Sequence, residues 1–245
     1  MTAARQWLHG GTRLPRRVLP EWLDELPADD PRAVRSRADL RRVNRVMGAR
    51  TLLLRALDKV APQGPRRLVE LGTGDGTMML RLAKSRARRW PGVRVTLLDL
   101  QPVVSAETLS GIRDLGWSVE VIEADVLDWL ARSAADRDAV TFANLFVHHF
   151  EGERLARLLA GIGEHSRAFV CCEPRRDALT LAGSHLLGLI GCNDVTRHDA
   201  VLSVHAGFRD EELSSAWQQS CAGRWRLEER TAGPFSHLFA AVRET

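Results

Sequence analysis

Short apolar runs and longer amphipathic stretches alternate along the chain from about residue 66 to its end. Short apolar runs of this kind are typical of buried strands, and the stretches between them have the 3.6-residue period of helices. Strands are predicted at 67–71, 93–98, 119–124, 139–146, 168–173, 224–230 and 237–242. Helices are predicted at 75–89, 103–115, 126–135, 151–162 and 177–190, and the region 202–222 is predicted to be helical around a break at Gly207. This alternation predicts an α/β fold with a doubly wound sheet.

The first 65 residues follow a different pattern. Residues 1–31 contain four prolines and are predicted to form an irregular arm with one short helix. A long helix is predicted to begin at Pro31, because apolar residues then recur at steps of three and four and are interrupted only at Arg50. The members of this apolar stripe are Leu40, Val43, Met47, Leu54 and Leu57. Pro62, Gly64 and Pro65 end the helical pattern.

The first predicted strand leads into a turn with three alternating glycines, Gly72, Gly74 and Gly76. A strand, a glycine-rich turn and a helix form half of a binding site for a nucleotide-like ligand, because glycine permits positive φ and has no Cβ to block the ligand. A dinucleotide site would require the third glycine at the position of Thr77. Glu70 and the acid between the last two glycines would repel a pyrophosphate, whereas they would attract a ligand that carries an ammonium and a sulfonium.

The segment from Glu70 to Gly76 resembles motif I of the class I S-adenosylmethionine (SAM) methyltransferases, E/D-x-G-x-G-x-G, and the resemblance covers about residues 65–245. It implies a mostly parallel seven-stranded sheet with an antiparallel final hairpin, plus an N-terminal helical extension. It also implies SAM as the cofactor and S-adenosyl-L-homocysteine as the product. We therefore predict an N-terminal arm and helical cap at 1–62 and a SAM-binding Rossmann-like domain at 63–245, with a lid or acceptor segment at about 177–222.

Two acidic residues lie at the ends of predicted strands, where open α/β sheets bind ligands. Asp99 follows the second strand, and a carboxylate there accepts hydrogen bonds from both ribose hydroxyls, each worth roughly 1.5–3 kcal/mol. A dinucleotide would use Asp99 in the same way. Asp125 follows the third strand and resembles the family's acceptor for the adenine amino group, and Glu70 by the same resemblance holds the methionine ammonium. The predicted cofactor residues are Glu70, Gly72, Thr73, Gly74, Gly76, Asp99, Leu100, Asp125, Val126 and Asn144.

His148 and His149 follow the fourth predicted strand, which lies beside the transferred methyl group in the family that the chain resembles. Histidine titrates near neutral pH and suits the deprotonation of a phenol or an acidic hydroxyl. One of the pair is therefore a candidate general base. In small-molecule and quinone-type methyltransferases, however, such a pair often serves cofactor and helix packing, and this alternative stays open.

Polar and ionisable residues are dense between Gly191 and Asp199, directly after an apolar stretch. Insertions after the fifth strand commonly build the acceptor pocket in class I methyltransferases. Asn193, Arg197 and His198 are therefore predicted to bind an acceptor that carries a phenol or a carboxylate. The alternative is an ordinary polar loop in which one residue caps a helix.

Charge and composition narrow the list of partners. The net charge is +4, but the excess comes from scattered arginines, and Lys59 and Lys84 are the only lysines among 245 residues. This distribution does not indicate a nucleic-acid surface. The four cysteines have no zinc-binding spacing, so no metal is predicted. The N-terminus has no apolar leader segment and no stretch is long enough to span a bilayer, so we expect a cytoplasmic protein without membrane contact. A homodimer is a candidate oligomeric state.

These features together predict a SAM-dependent methyltransferase that acts on a small molecule, with O-methylation of an aromatic or polyketide-like metabolite as the favoured reaction. Two alternatives remain. One is an RNA or protein methyltransferase, which the basic composition favours. The other is a catalytically silent interaction subunit with the same fold.

Overall fold

A seven-stranded sheet forms the centre of the protein in a computed structural model that describes residues 14–133 and 137–244. The strands are Arg67–Leu71 (β1), Arg94–Asp99 (β2), Ser118–Glu123 (β3), Val140–Asn144 (β4), Ala168–Pro174 (β5), Trp225–Ala232 (β6) and Ser236–Arg243 (β7). Their order in the sheet is β3-β2-β1-β4-β5-β7-β6. The first five strands are parallel, and β7 pairs antiparallel with both β5 and β6. The predicted fold class is confirmed.

Helices precede the sheet and fill the intervals between its strands. They run over Trp22–Glu25 (α1), Pro31–Val46 (α2), Ala49–Val60 (α3), Thr77–Arg86 (α4), Ala106–Asp114 (α5), Val126–Arg132 (α6), Gly152–His165 (α7), Ala178–His185 (α8), Asp194–Ala206 (α9) and Glu212–Ser220 (α10). One apolar cluster packs α3, α4 and α5 against the sheet, and a second packs α6, α7 and α10 against its other face. Burial on both faces explains why β1, β2, β4 and β5 are mainly apolar, whereas the edge strand β3 is mostly exposed and alternates apolar and polar residues. No helix within residues 14–133 and 137–244 is long and apolar enough to cross a membrane.

The connection after β1 defines where a ligand would bind. β1 lies between β2 and β4, and the chain therefore leaves β1 toward one side of the sheet and later returns on the other side. In open parallel sheets this change of direction leaves a crevice at the carboxyl ends of the strands. The glycine-rich turn after β1 and the loops after β2, β3 and β4 all meet at this edge.

The long helix predicted from Pro31 is wrong, because the chain forms two helices, α2 and α3. They are separated at Gly48, which has a left-handed conformation with φ of 67°. The apolar stripe continues across the break because Leu53, Leu54 and Leu57 of α3 are all buried. Apolar residues recur at the same steps on both sides of Gly48, so the hydrophobic pattern does not reveal the break between the two helices.

Smaller differences concern where elements end. β4 stops at Asn144 because Leu145 has φ of 54°, which a strand does not accommodate. The helix predicted at 177–190 ends at His185 and continues as a 3₁₀ turn at Leu187–Ile190. Helix α9 begins at Asp194, earlier than the predicted helical region. The arm before residue 14 and the predicted helical residues 134 and 135 lie outside the described residues.

Candidate functional site

The glycine-rich turn after β1 is shaped by backbone bonds to the end of β2. Gly72 N and Thr73 N both donate to the carbonyl of Leu98, at 2.9 and 3.2 Å. The three glycines have φ values of 69°, 53° and 68°, which explains why glycine occupies these positions. A Cβ on Gly72 would lie 2.3 Å from the ring of Phe146, whereas a Cβ on Gly74 would have no atom within 4 Å. The turn therefore packs tightly on one side and leaves open space beside Gly74, as a ligand cradle requires.

Asp99 joins the glycine-rich turn to the loop after β2. Its carboxylate accepts hydrogen bonds from Gly74 N at 2.7 Å and from Gln101 N at 2.9 Å. Asp99 is only half-buried, and the next residue, Leu100, is 69% exposed. A carboxylate with an accessible lone pair next to an uncovered apolar side chain suits a ribose with an attached base. The structure thus places both predicted residues at the open edge of the sheet.

Glu70 is a buried carboxyl group beneath the same turn. It is 2% exposed, and Thr73 Oγ1 donates to its Oε2 at 3.1 Å. Burial, helped by the negative charges of Asp75 and Asp99, raises the pKa of Glu70 to about 8. No cation is paired with Glu70 within residues 14–133 and 137–244. A ligand ammonium would supply the missing charge, so the donor set fits the methionine end of SAM.

The loops after β3 and β4 supply the remaining predicted cofactor residues. Asp125 caps α6, because its Oδ1 accepts from Leu127 N at 2.7 Å and from Asp128 N at 3.2 Å. Val126, the first residue of that helix, is buried. Asn144, at the end of β4, donates through Nδ2 to Asn44 of helix α2 at 2.9 Å. These residues lie at the same edge as Asp99, and their contacts with the cofactor remain a prediction.

Helix α2 lies across this edge and contacts three of its loops. Arg41 Nη1 donates to Asp75 Oδ2 at 2.6 Å, and Asn44 meets Asn144 as described above. Arg37 Nη2 donates to the Gln101 side chain at 3.4 Å, which is a weak bond. Residues 37, 41 and 44 share one side of the helix because they are spaced by four and three positions. Asp75 also accepts from Thr77 N at 3.0 Å, so it both caps α4 and pairs with α2.

An apolar cavity of about 150 Å³ lies against an adjacent side of α2. It reaches the ends of β4 and β5, where Leu145 and Pro174 line it. Further apolar side chains come from the arm, α2, the 3₁₀ turn, α9 and the final loop: Leu23, Leu40, Val43, Met47, Leu187, Val204 and Phe235. Polar lining groups are Glu21, Ser36, Thr180, Ser184, Thr196, Asp199 and Ser203. A cavity of this volume is large enough for one benzene ring.

His148 lies behind this cavity in a chain of buried charged groups. Its Nδ1 is 2.7 Å from Glu173 Oε2, and its Nε2 is 3.5 Å from Glu21 Oε1. The carboxylate of Glu173 also accepts from the backbone N–H groups of residues 146–148, which holds the 3₁₀ turn Val147–His149 in place. Burial alone would lower the pKa of His148, but the two carboxylates outweigh it and raise this pKa to about 9. His148 therefore carries a proton at neutral pH.

The neighbouring His149 has the opposite electrostatic environment. Burial and the positive charge of His148 lower the pKa of His149 to about 4, so its ring is neutral at physiological pH. Its Nδ1 is 3.4 Å from Asp24 Oδ2 on helix α1. Neither histidine belongs to the cavity lining. Of the two, only His149 is in the protonation state that a general base needs, and that role remains a prediction.

Glu21 is the residue that connects His148 with the cavity, and the sequence prediction missed it. The arm is held by Arg16, which donates to the carbonyls of His148 and Phe150. Glu21 is 9% exposed and lines the cavity, and it accepts a hydrogen bond from Ser203. Burial opposes ionisation, but the contact with His148 dominates and the pKa of Glu21 is lowered. It is therefore a carboxylate at neutral pH.

The predicted acceptor residues lie beside the cavity lining and are not part of it. Asn193 caps α9 by accepting from Thr196 N at 2.9 Å, and its Nδ2 donates to the Arg32 carbonyl. His198 is stacked on Trp22 with ring centroids 3.7 Å apart. The faces of α9 explain this arrangement: Thr196, Asp199 and Ser203, spaced by three and four positions, point into the cavity, whereas residues 197 and 198 point away. That spacing is visible in the sequence once the helix is known to begin at Asp194.

Comparisons with known proteins agree with this arrangement. A sequence model described as a methyltransferase domain matches residues 68–168. No curated protein matches the chain. We describe three of the solved structures that have a similar fold. An O-methyltransferase family protein from Burkholderia thailandensis is 18% identical with a TM-score of 0.56, and the alignment covers 89% of this chain and 61% of that one.

The other two neighbours are named as methyltransferases of mitomycin and of plantazolicin. The mitomycin 7-O-methyltransferase MmcR is 17% identical, with a TM-score of 0.56 and coverage of 91% of this chain and 60% of that one. The plantazolicin methyltransferase BpumL, in complex with a monoazolic desmethylPZN analog and SAH, is 14% identical, with a TM-score of 0.61 and coverage of 88% and 91%. The chain thus spans about three fifths of the length of the first two neighbours. At these identities the similarity shows a shared fold.

Proposed function

We propose that this protein, a class I S-adenosylmethionine-dependent methyltransferase with its methyltransferase domain at residues 68–168, methylates a hydroxyl group on a small acceptor. The predicted family, fold and cofactor are confirmed. The acceptor remains to be identified. The observation that supports a small acceptor is the cavity of about 150 Å³ that reaches the ends of β4 and β5. Its mainly apolar lining favours an aromatic or similarly compact body.

The chain's own residues divide the binding of SAM among the loops at the sheet edge. SAM supplies a methyl group on a sulfonium, which is electrophilic without further activation. In this proposal Glu70 would bind the ammonium, Asp99 the ribose hydroxyls, and Leu100 and Asp125 the adenine. Placing two reactants in line contributes several orders of magnitude in rate. The main task of the protein is then to align the acceptor oxygen and to remove its proton.

Glu21 is the best-placed group to take that proton. Its carboxylate faces the cavity, whereas His148 lies behind it and is already protonated. As the new O–CH₃ bond forms, the acceptor oxygen becomes strongly acidic, so a carboxylate of lowered pKa is basic enough to accept the proton. His148 would hold Glu21 in position, and Glu173 would hold His148. This assignment moves the general base from the predicted histidines to a residue of the N-terminal arm.

The first experiment identifies the class of acceptor. Wild-type protein and labelled SAM are incubated separately with a panel of simple phenols, with total RNA and with total protein. We expect label in one or more phenols. Label confined to RNA or protein would contradict the proposal in favour of a macromolecular acceptor. Calorimetry with SAM alone tests the third possibility, because a silent interaction subunit would show no binding at millimolar concentrations.

A second experiment separates the three candidate bases with an accepted substrate. We expect Glu21→Gln to lower kcat by about 10²–10⁴-fold, the usual contribution of a positioned base, with the affinity for SAM unchanged. We expect a smaller loss in His148→Gln, since that side chain acts through Glu21. A loss confined to His149→Gln would return the role to the neutral histidine. Equal losses of kcat and SAM affinity in all three variants would indicate a packing role.

A further inference from the structure

His148 has a buried ring nitrogen that no hydrogen bond satisfies. The residue is 1% exposed, and within residues 14–133 and 137–244 its Nε2 has no hydrogen-bond partner. Glu21 Oε1 is near this nitrogen, but the distance of 3.5 Å is longer than an ordinary hydrogen bond. Buried polar atoms in native proteins are almost always satisfied, so an unsatisfied one indicates a place where a further group binds.

Three side chains bring ligand atoms together around this nitrogen. Glu21, His148 and His149 each offer one oxygen or nitrogen atom, and these three atoms lie within 4.8 Å of one another. Two atoms that bind the same tetrahedral zinc ion are roughly 3.3–3.4 Å apart, because each bond is about 2.0–2.1 Å long. The 3.5 Å between His148 and Glu21 is close to this spacing. The side chain of His149 is 26% exposed, so a small rotation of its ring can shorten the longer separation.

A carboxylate lies beside the Nδ1 atom of each histidine. Glu173 Oε2 is 2.7 Å from Nδ1 of His148, and Asp24 Oδ2 is 3.4 Å from Nδ1 of His149. A metal-binding histidine usually donates its other ring N–H to such a carboxylate, which fixes the tautomer and makes the ligating nitrogen more basic. In His148 this arrangement leaves Nε2 to bind the metal, and Nε2 is the nitrogen without a partner among the described residues.

The ligand atoms indicate the class of metal. Two imidazole nitrogens and one carboxylate oxygen suit zinc and the related transition metals, whereas Mg²⁺ and Ca²⁺ prefer oxygen atoms alone. With three protein ligands, a zinc ion keeps a fourth position for water or another small ligand. Glu21 lines the apolar cavity, so an ion held by its carboxylate would lie next to that cavity.

We propose that Glu21, His148 and His149 bind a divalent transition-metal ion, for which Zn²⁺ is the best match. The sequence alone predicts no metal, because positions 21 and 148 are far apart and form no recognisable ligand spacing. Metal binding displaces the proton that His148 otherwise carries. A carboxylate that binds a metal is a much weaker base, so bound zinc should inhibit methyl transfer. Only this last consequence rests on the proposed function, which describes the metal-free protein.

Metal binding by the full chain tests the site without SAM and without an acceptor. The protein is treated with a chelator, dialysed, and titrated with Zn²⁺ in a calorimeter and with Co²⁺ in an absorption spectrometer. We expect a single metal ion per chain, and bound Co²⁺ should give the intense visible bands of a tetrahedral site. Excess Mg²⁺ should not compete with Zn²⁺, because Mg²⁺ prefers oxygen ligands.

Substitutions separate the ligands from the groups around them. His149→Gln and Glu21→Gln each remove a ligand and should lower the affinity for Zn²⁺ by more than about 100-fold, which exceeds the effect of an outer carboxylate. Glu173→Gln keeps all three ligands and removes the carboxylate behind His148, so a loss of about 10–100-fold is expected. His185→Gln is the matched control, because it removes an exposed histidine at the end of α8 and should leave the affinity unchanged.

Circular dichroism checks that each variant is folded, and His149→Gln should be the least disruptive because its ring is partly exposed. Equal affinity for Zn²⁺ in wild type and His149→Gln would overturn the proposal, and so would displacement of Zn²⁺ by Mg²⁺. A loss of binding in His185→Gln alone would also overturn it, since the metal would then bind at the surface. Failure of the proposed function gives a different result. Wild-type protein that binds Zn²⁺ and still methylates an accepted phenol at the full rate would support the metal site and exclude Glu21 as the base.

Discussion

Binding of SAM should release a proton from Glu70. Burial raises the pKa of this carboxyl to about 8, so at pH 7 about nine tenths of the ligand-free molecules hold the proton. A ligand ammonium next to Glu70 favours the carboxylate and returns its pKa toward the ordinary value of 4.5. The proton must then leave as the ligand binds. The expected release is about 0.9 protons per SAM at pH 7.

The affinity for SAM should therefore increase with pH. Removing the proton costs about 1.4 kcal/mol for each pH unit below the pKa of about 8, so the affinity should fall about 50-fold from pH 8 to pH 6. Stability of the ligand-free protein changes in the opposite direction. Because the folded state binds this proton more tightly than the unfolded chain, the contribution of Glu70 to stability is present below pH 4.5 and is lost as the pH rises through about 8.

The assay is titration calorimetry at pH 7 in two buffers with different ionisation enthalpies, which yields the number of protons released. Glu70→Gln is the control, because it keeps the shape of the side chain and removes the titrating group. In Glu70→Gln the proton release should disappear, and only the small proton uptake by the amino group of SAM itself should remain. Equal proton release in wild type and Glu70→Gln would refute the placement of the ammonium at Glu70. A wild-type affinity that does not change between pH 6 and pH 8 would do the same.

The remaining expectations concern the turn, the ribose contact and the cap helix. Gly72→Ala should lower the free energy of unfolding by at least about 2 kcal/mol more than Gly74→Ala, because only the first places a Cβ against the Phe146 ring. Chemical denaturation measures this difference, and equal losses in the two variants would contradict the predicted clash with Phe146. Gly74→Ala should instead weaken SAM by occupying the ligand space, as calorimetry would show. Asp99→Ala should weaken SAM by at least about 1.5 kcal/mol, and unchanged affinity would remove the ribose assignment. Arg41→Ala should speed SAM dissociation in stopped-flow measurements, and an unchanged rate would exclude a covering role for α2.

The parts of the fold that are determined locally were predictable. β1 has the predicted bounds, and the glycine-rich turn, Asp99 and Asp125 lie at one edge, because parallel strands with apolar sequences end at the same side of the sheet. The break at Gly48 was not predictable from the hydrophobic pattern, since apolar residues recur at steps of three and four on both sides of it. Its signal was the glycine alone, and single glycines inside helical patterns are common.

The cavity could not be predicted because distant parts of the chain build it. Glu21 meets His148 across 127 positions, and Ser203 reaches Glu21 across 182. Nothing in the local sequence of the arm indicates that its glutamate faces a pocket. The histidine pair was recognisable, but its electrostatics were not. Glu173 and Glu21 raise the pKa of His148, whereas burial and the charge of His148 lower the pKa of His149.

Two adjacent sides of helix α2 contact different parts of the site, so the binding of SAM and the binding of an acceptor could affect each other through this helix. Arg41 and Asn44 contact the loops at the carboxyl edge of the sheet, whereas Leu40, Val43 and Met47 line the apolar cavity on the adjacent side of the same helix. A ligand on either side that restricts the motion of α2 has already met part of the entropy cost for the other ligand. If both ligands restrict α2, the two affinities are linked, and by thermodynamic reciprocity SAM would then tighten the acceptor by the same factor by which the acceptor tightens SAM.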